Sequence, residues 1–479
     1  MPRRRVIKKK EVNTNLLPPE KQLEKIPKII HQIWIGNKKR PEKLMETWKN
    51  KHPDYEYKFW NEESLKQFDF ECQNRINEME TFCGKCDIIR LELLHKYGGI
   101  YIDADSFCIE KIDDYLLNYE AFFGYENEKC RGSLISNGNL GFIKNHPLLR
   151  NMIDFIKNHE ISHRKTRKDA WQTTGPVLLT YFYRQYVNDK NIKLLPSNFF
   201  LPIHTTGETY LGHGKVYAHQ EWGSTHDKYK FLDNPSIPNS LIEPAEYYSV
   251  IIPSFNTNKE YITDCLNSIR DQVGNFGIEL IWINDGSDED NTSNLENMLN
   301  HFIKTTRFIK LIYKRLEKNM GISYALNLGI KESTNEIIFR MDSDDIMYKN
   351  RMIVQIECMK KHSDIVWLGG QILINGKRTN HKSITLEKFK KNNVHWLSNH
   401  PAVCFRKKQI LDLGGYNEKN IGHFEDFELQ LKILKKYGII HNIPHVLLKY
   451  RTHPDQITSK NIPDKDRILN KLIKDIIYE

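Results

Sequence analysis

The segment Lys85-Cys-Asp-Ile-Ile-Arg-Leu-Glu-Leu-Leu-His-Lys-Tyr-Gly-Gly-Ile-Tyr-Ile-Asp-Ala-Asp105 joins a helical pattern to a strand pattern. Its first part carries apolar residues at helical spacing, and Gly98 suits the left-handed position that ends a helix. The apolar run Ile100-Tyr-Ile102 follows and leads directly to Asp103 and Asp105. This order predicts a helix-to-strand unit of an α/β domain that ends in two acids.

The two acids predict a cation site. Asp103 and Asp105 are two residues apart, so in an extended segment their carboxylates point the same way at the carboxyl end of a buried strand. Hard divalent cations such as Mg²⁺ or Mn²⁺ bind such oxygens together with substrate phosphates. On the preceding helix Asp87 and Arg90 share one face, where a surface ion pair is the alternative interpretation.

A second acidic triplet ends an apolar strand in the other half of the chain, Ile337-Ile-Phe-Arg-Met-Asp-Ser-Asp-Asp345. Here Asp342 and Asp344 repeat the spacing of the first pair. Around them strand and helix patterns alternate, which predicts a mostly parallel α/β sheet. The predicted elements are strands 248–252, 278–283 and 336–340 and helices 259–270 and 323–331.

Two further motifs of the second half carry polar groups. Val250-Ile-Ile-Pro-Ser-Phe-Asn256 leads a strand into a turn, and Asp285 follows another strand, where it either binds a base or ribose or caps a helix. Glu425 and Asp426 lie at the mouth of a predicted helix. A carboxylate there is suited to act as a general base on an acceptor hydroxyl, with helix stabilisation as the competing role.

The chain has 479 residues, of which 39% are hydrophobic and 28% charged. That length predicts two domains, each large enough for its own core. A cluster of Pro, Asn and Ser marks the boundary, so we expect a flexible basic tail at 1–25, a first domain at 26–232, a linker at 233–245 and a second domain at 246–479.

The formal net charge of +10 admits nucleic acid, an anionic membrane or an anionic substrate as a partner. No nucleic-acid-binding module is recognisable, and no apolar run is long enough to span a bilayer or act as a secretory signal. We therefore expect no nucleic-acid partner, no integral membrane segment and a cytoplasmic location. The abundance of Asn, Ile and Lys is typical of AT-rich genomes, and for a large virus the location would be the host cytoplasm.

The eight cysteines do not form a disulfide framework, since five lie in the first half and three in the second. Cys83 and Cys86 have zinc-ligand spacing, but no second pair follows at a suitable distance. The sequence therefore gives little support to a structural zinc site.

The first half, over roughly residues 26 to 225, resembles the DXD-containing sugar transferases of glycosyltransferase family 32. The resemblance rests on Ile26-Pro-Lys-Ile-Ile-His-Gln-Ile-Trp-Ile35 and on the helix, Tyr-Gly-Gly turn and acidic triplet described above. It implies that Asp103 and Asp105 hold a metal and the donor diphosphate, and that Asp87 and Arg90 contact the donor.

Later segments extend this likeness. Ser136-Asn-Gly-Asn139, including Asn139, and Gly175-Pro176 match parts of the family that line the donor pocket. His219-Gln-Glu-Trp222-Gly-Ser224 matches the closing motif imperfectly, because Thr225 stands where the family has Trp. The resemblance implies transfer with retention at the anomeric carbon, without a nucleophile that the sequence identifies.

The second half, over about residues 246 to 460, resembles glycosyltransferase family 2, a group of inverting enzymes with the GT-A fold. Carried over, the resemblance assigns a nucleotide site, a metal and diphosphate site and a catalytic base. These residues are, in that order, Pro253, Asn256 and Asp285; Asp342 and Asp344; and Asp426 with Glu425 beside it. In the closing segment Tyr450-Arg-Thr-His453, Arg451 or His453 would approach the diphosphate or metal, whereas a packed histidine is the alternative.

The sequence therefore predicts two tandem GT-A domains, each a Rossmann-like α/β unit with a mostly parallel sheet. The predicted function is bifunctional transfer of sugars from nucleotide-sugar donors, UDP-sugars first, to a glycan, glycoprotein or glycolipid, with Mn²⁺ or Mg²⁺ at each site. The alternative is a sugar-nucleotide-binding or scaffolding protein with only one active domain. A nucleotidyltransferase lacks support, because no Gly-rich phosphate loop with Lys-Ser or Lys-Thr is present.

Overall fold

The computed structural model describes residues 24–210, 212–223, 232, 238, 241, 243, 244, 246–392, 396–419, 424–453 and 464–479. Nearly all of the expected basic tail and most of the expected linker lie outside these residues. Ser224 and Thr225 of the closing motif in the first half lie outside them too.

The first half alternates strands and helices and forms its own sheet. Its strands are β1 (Ile29–Ile33), β2 (Glu56–Trp60), β3 (Gly99–Ile102), β4 (Ser106–Cys108), β5 (Ala121–Tyr125), β6 (Ile135–Phe142), β7 (Ile192–Leu195) and β8 (Ala218–Gln220). Its helices are α1 (Glu42–Lys51), α2 (Glu62–Leu65), α3 (Gln73–Glu78), α4 (Phe82–Tyr97), α5 (Pro147–Asn158), α6 (His163–Thr166), α7 (Ala170–Thr173) and α8 (Pro176–Tyr183).

The second half follows the same alternation. Its strands are β9 (Tyr247–Ser254), β10 (Gly277–Asn284), β11 (Ile309–Arg315), β12 (Ile337–Arg340), β13 (Ile346–Met347), β14 (Trp367–Ile374), β15 (Lys377–Arg378), β16 (Ile384–Thr385), β17 (Cys404–Arg406) and β18 (Ile439–Tyr450). Its helices are α9 (Lys259–Arg270), α10 (Glu289–Lys304), α11 (Ile322–Glu332), α12 (Arg351–Lys361), α13 (Leu386–Asn392), α14 (Lys407–Leu411), α15 (Glu425–Tyr437) and α16 (Lys465–Ile473).

The first sheet has the strand order β2-β1-β3-β6-β5-β7. Strands β1, β2 and β3 are parallel, β5 and β7 are parallel, and β6 runs antiparallel to both of its neighbours. Strand β3 is buried on both faces, as expected for an inner strand of an α/β sheet. The acids that follow it therefore emerge at the middle of the carboxyl edge.

The second sheet runs β11-β10-β9-β12-β17-β14-β18-β13. Strands β9 to β12 are mutually parallel, and β17 is antiparallel to β12 and β14. Ligands of open α/β sheets bind beyond the carboxyl ends of the strands, where Asp285 and Asp342 follow β10 and β12. The α/β class with parallel-rich sheets in both halves is confirmed.

Separate apolar clusters pack against the two sheets. In the second half one cluster joins α9, α10 and α12 to one face, and another joins α11, α15 and α16 to the other face. All eight cysteines are free thiols. Among the residues that the structure describes, no helix combines the length and apolar composition needed to cross a membrane.

Two candidate active sites at strand ends

Helix α4 positions the first site. Thr81 caps its start by accepting a hydrogen bond from the Gly84 amide, and Gly98 ends it with φ 63° while its N–H bonds the Leu94 carbonyl. Gly99 also has positive φ, and a Cβ there would lie 2.7 Å from the Ile29 carbonyl oxygen. The Gly-Gly pair is therefore required for the close passage of α4 into β3.

Asp87 and Arg90 form a buried network with the partly exposed Asp103. The Arg90 guanidinium lies 3.2 Å from Oδ1 of Asp87 and 3.3 Å from Oδ1 of Asp103. Asn137 donates to Oδ1 of Asp87 at 2.8 Å, and the Tyr101 hydroxyl donates to Oδ1 of Asp103 at 2.8 Å. Burial raises the pKa of Asp87 to about 6 against the opposing charge of Arg90. The ion pair expected from spacing is thus a buried link between helix and strand end and not a surface pair.

The expectation that Asp103 and Asp105 extend the strand is wrong, because the chain turns after β3. The Ser106 amide bonds the Asp103 carbonyl at 3.1 Å, which closes the turn. Asp103 consequently faces Arg90, while Asp105 accepts hydrogen bonds from the Gln220 side chain and from the Gly223 amide. Burial, and then the charge of Asp103, raise the pKa of Asp105 to about 6.

The oxygens around these acids fit a hard cation. Within the described part of the chain, Oγ of Ser106, Oδ1 of Asn139 and Oε1 of Gln220 are buried without a hydrogen-bond partner. Buried polar atoms are nearly always paired, and hard divalent cations bind carboxylate and amide oxygens. Asn139 lies opposite Ile102, next to the strand end. The donor set of the first site therefore suits Mg²⁺ or Mn²⁺.

The remaining motifs of the first half lie around this network. Thr174, which precedes Gly175, donates to Oδ2 of Asp87 at 3.3 Å. His219 lies in β8, opposite Phe107 of β4, and burial lowers its pKa to about 4. The structure thus brings Asp87, Gly175 and the segment around Asn139 to the same end of the sheet.

Three acids converge at the second site. Oxygens of Asp342, Asp344 and Asp345 lie within 4.8 Å of one another, the one such cluster in the described residues. The sequence predicted no role for Asp345. This residue is fully buried, and within the described residues its Oδ2 has no hydrogen-bond partner. The cluster fits a divalent cation, because like-charged carboxylates held this close are stabilised by a positive charge.

Arg340 binds one acid of this cluster, Asp342, from the interior of the domain. Its guanidinium makes two contacts of 2.6 Å with the two carboxylate oxygens of Asp342, and its side chain is almost completely buried. Arg351, also buried, donates to the Arg340 carbonyl at 2.7 Å. Arg340 interrupts the apolar pattern of β12, and this interruption is the sequence signal for its role.

The closing segment contributes His453 to the acids. Its Nε2 lies 2.8 Å from Oδ2 of Asp344, and its ring lies 5.1 Å from that of Tyr261. Arg451 instead donates to Oδ2 of Asp264 at 2.6 Å and to the Asp344 carbonyl at 2.8 Å. Of the two residues that the sequence left open, His453 therefore reaches the acidic side chains, and Arg451 holds the segment in place.

The predicted nucleotide residues lie at the ends of β9 and β10. Pro253 pairs with Ile283, and Asn256 takes a left-handed backbone with φ 49°. Both carboxylate oxygens of Asp285 accept backbone amides, from Met320 at 2.7 Å and Gly321 at 2.9 Å. Asp285 thus holds the turn that precedes α11.

Asp426 and Glu425 open helix α15. Burial, and then the charge of Glu425, raise the pKa of Asp426 to about 7. The hydroxyl of Tyr416, whose pKa is raised by burial and by Asp426 and Glu425, lies 2.8 Å from Nε2 of His400. Neither His400 nor Tyr416 had a predicted role. A carboxylate that titrates near neutral pH is matched to proton transfer.

Comparison with known families gives two matches in tandem. Residues 38–123 match the family described as "Glycosyltransferase sugar-binding region containing DXD motif". Residues 249–412 match "Glycosyl transferase family 2". The first match includes Asp87, Asp103 and Asp105, and the second includes Asp285, Asp342 and Asp344.

Curated proteins are similar over parts of the chain. The amylovoran biosynthesis glycosyltransferase AmsE of Erwinia amylovora is 28% identical over 44% of this chain and 79% of that protein. The inositol phosphoceramide mannosyltransferase 3 of Schizosaccharomyces pombe is 33% identical over 33% of this chain and 45% of that protein. The UDP-Gal:alpha-D-GlcNAc-diphosphoundecaprenol beta-1,3-galactosyltransferase of Escherichia coli is 32% identical over 36% of this chain and 62% of that protein.

The chain thus spans less than two thirds of the length of the latter two relatives. Its sequence, its sheets and its strand-end acids agree with both family matches. In this order, the chain is similar to the DXD-containing sugar-binding region of glycosyltransferases and to glycosyl transferase family 2, and these matches indicate a nucleotide-sugar-dependent glycosyltransferase.

Proposed function

We propose that the chain is a bifunctional, metal-dependent glycosyltransferase whose first domain transfers sugar with retention and whose second domain transfers sugar with inversion. The observation that carries the proposal is the pairing, in the second half, of an acidic cluster at one strand end with a carboxylate whose pKa is about 7 at the mouth of α15. The acidic cluster is suited to hold a metal and the donor diphosphate, and the carboxylate at α15 is suited to remove the proton of the acceptor hydroxyl.

In the second site Pro253, Asn256 and Asp285 form the nucleotide wall, and Asp342 faces the donor. Asp344 and His453 are the proposed metal ligands, with Asp345 added because of its buried, unpaired Oδ2. A divalent cation held there neutralises the diphosphate and makes it a better leaving group. Asp426 accepts the proton of the acceptor hydroxyl as that oxygen attacks the anomeric carbon. Burial, and then the charge of Glu425, keep the pKa of Asp426 close to neutral.

In the first site Asp103 and Asp105 are the proposed metal ligands. Asp87 and Arg90 contact the donor, and Asn139 lines its pocket beside β3. Arg90 has a second task, because it holds both Asp87 and Asp103 from a buried position. Its fixed position prevents the two carboxylates from moving apart when no diphosphate is bound. No side chain is assigned as a nucleophile.

The donors that we propose are nucleotide sugars, with UDP-sugars first, and the acceptor is a glycan, glycoprotein or glycolipid. The names of the relatives support these classes, since one names a UDP-galactose donor with a lipid-diphosphate acceptor and another a ceramide acceptor. We further propose Mn²⁺ or Mg²⁺ at each site and a cytoplasmic location.

The test is release of nucleotide from a panel of UDP- and GDP-sugars with Mn²⁺ present. The full chain is compared with Asp103→Asn/Asp105→Asn, with Asp342→Asn/Asp344→Asn and with Asp412→Asn, an exposed control at the end of α14. We expect each double variant to abolish release from a different donor and the control to retain both activities.

Turnover that survives both double variants would contradict the proposal. Loss of one activity without any second donor would instead support a sugar-nucleotide-binding or scaffolding protein with one active domain. Removal of the metal by EDTA and its return separate a metal effect from a folding effect, because the fold is followed in parallel by circular dichroism.

A further inference from the structure

A short segment of the first half is inserted into the second half. His213 is completely buried, and its Nδ1 and Nε2 lie 3.1 Å and 2.8 Å from the carbonyl oxygens of Gln272 and Phe276. Its ring centroid is 5.1 Å from that of Phe276. A side chain of the first half thus fills a pocket made by backbone of the second half.

The backbone of this segment is hydrogen-bonded to the second half as well. The His213 amide donates to the Arg270 carbonyl at 3.2 Å, and the Arg307 amide donates to the His213 carbonyl at 2.8 Å. Gly212 and Gly214 form antiparallel bridges with Val273 and Thr306. Residues 212–214, called here the docking segment, therefore join two loops of the second half.

The docking segment is also tied firmly to its own domain. The Tyr217 amide donates to the Phe199 carbonyl at 2.7 Å, and the Tyr217 hydroxyl donates to Asp113 at 2.9 Å. A Cβ on Gly214 would lie 2.9 Å from the Phe199 ring. The docking segment is packed in its own domain and hydrogen-bonded to the other. It therefore fixes the position of one domain relative to the other.

Residues of opposite charge from the two halves lie near the same boundary. Burial lowers the pKa of Arg307 and raises that of Glu128, and the charges of Glu110 and Lys349 act against these two shifts. In both pairs the acid belongs to the first half and the cation to the second. This complementarity favours the contact between the two halves of one chain.

The loops that receive the docking segment lie at the amino edge of the second sheet. They precede β10, which begins at Gly277, and β11, which begins at Ile309. Asp285 and Asp342 emerge at the opposite, carboxyl edge. The docking segment therefore contacts the edge of the second sheet opposite to the edge from which Asp285 and Asp342 emerge.

We infer that the docking segment fixes the two domains as one body, with the docking segment and the second site at opposite edges of the second sheet, so that the two sites work independently. A product of one site has to be released before it enters the other. Only this functional consequence rests on the proposed function; the docking itself does not.

The docking is tested by hydrogen exchange of the full chain, followed by mass spectrometry of peptides covering 305–309 and 212–217. We expect slow exchange in both peptides of the wild type, and in His213→Ala an exchange at least about tenfold faster in both at once, because they share the same opening event. The matched control is His146→Ala, a buried histidine that caps α5 within the first domain. It should leave 305–309 unchanged.

Exchange of 305–309 in the wild type at the rate of an unstructured peptide would overturn the docking, and so would an equal effect of the two substitutions. The wild-type measurement needs no variant and stays decisive if His213→Ala does not fold. Independence of the sites is measured by nucleotide release from UDP- and GDP-sugars by the two double aspartate variants.

The nucleotide-release rates of the two double aspartate variants should add up to the rate of the wild type within about twofold, as expected of uncoupled sites. A sum that departs further would overturn the independence. Absence of release from every donor would overturn the proposed function and leave the exchange experiment as the separate measure of docking.

Discussion

His453 reaches Asp344 across 109 residues of sequence, with its Nε2 2.8 Å from Oδ2 of the carboxylate. The contact joins the end of β18 to the acidic cluster that follows β12. It depends on Arg451, which is anchored to Asp264 of α9. The metal site proposed for the second domain is therefore completed only when the last strand is in place.

Substitution His453→Ala should weaken metal binding at the second site. Loss of a group that orients or ligates a metal typically costs about 10- to 100-fold in affinity or activity. We expect the Mn²⁺ concentration for half-maximal nucleotide release by the second site to rise by a factor in that range. His445→Ala, an exposed histidine of the same strand, should leave the Mn²⁺ titration unchanged. Equal titrations for both variants would exclude His453 from the site.

Gly138→Ala should inactivate the first site with little loss of stability. A Cβ at this position would lie 2.4 Å from Oδ2 of Asp103, so that carboxylate has to move. Displacement of a reacting group by about 1 Å costs on the order of 10²-fold in rate. Gly124→Ala on β5, where a Cβ meets only ordinary contacts of 3.6 Å or more, is the control. First-site activity in Gly138→Ala close to that of Gly124→Ala would contradict the role of Asp103.

Activity of the second domain should fall as the pH drops below about 7. A general base works only in its deprotonated form, and burial together with Glu425 raises the pKa of Asp426 to about 7. Glu425→Gln removes a like charge, which favours the ionised form of Asp426, so the acid limb of the pH–rate profile should move to lower pH. A limb that stays in place, or moves to higher pH, would argue against Asp426 as the base.

Arg340→Met should destabilise the second domain strongly. Removal of one partner from a fully buried ion pair costs about 3–5 kcal/mol. The Asp342 side chain, which would lose its two guanidinium contacts, is 26% exposed, so we expect a loss near the lower end of this range. The free energy of unfolding is measured by urea denaturation, with Arg467→Met on the exposed face of α16 as the control. A decrease in the free energy of unfolding below about 1 kcal/mol, no larger than that for an exposed ion pair, would show that Arg340 does not stabilise the acidic cluster.

The sequence determined the features that depend on local periodicity. Apolar residues at helical or strand spacing placed α9, α11, β10 and β12 within one or two residues of their observed bounds, because such spacing marks the buried residues of each element. The Asp residues that follow strand ends could be located from the sequence for the same reason. Parallel sheets collect such residues at one edge.

Only the tertiary structure decided which groups meet there. The turn after β3 gives Asp103 and Asp105 different partners, Arg90 and Gln220, and burial together with a long-range contact distinguishes His453 from Arg451. Asp345 and Arg340 gained roles because both lie in the interior next to charges from distant elements. The insertion of His213 into the second half had no local signal at all, since hydrogen bonds to backbone carbonyls place no demand on the identity of the partner residues.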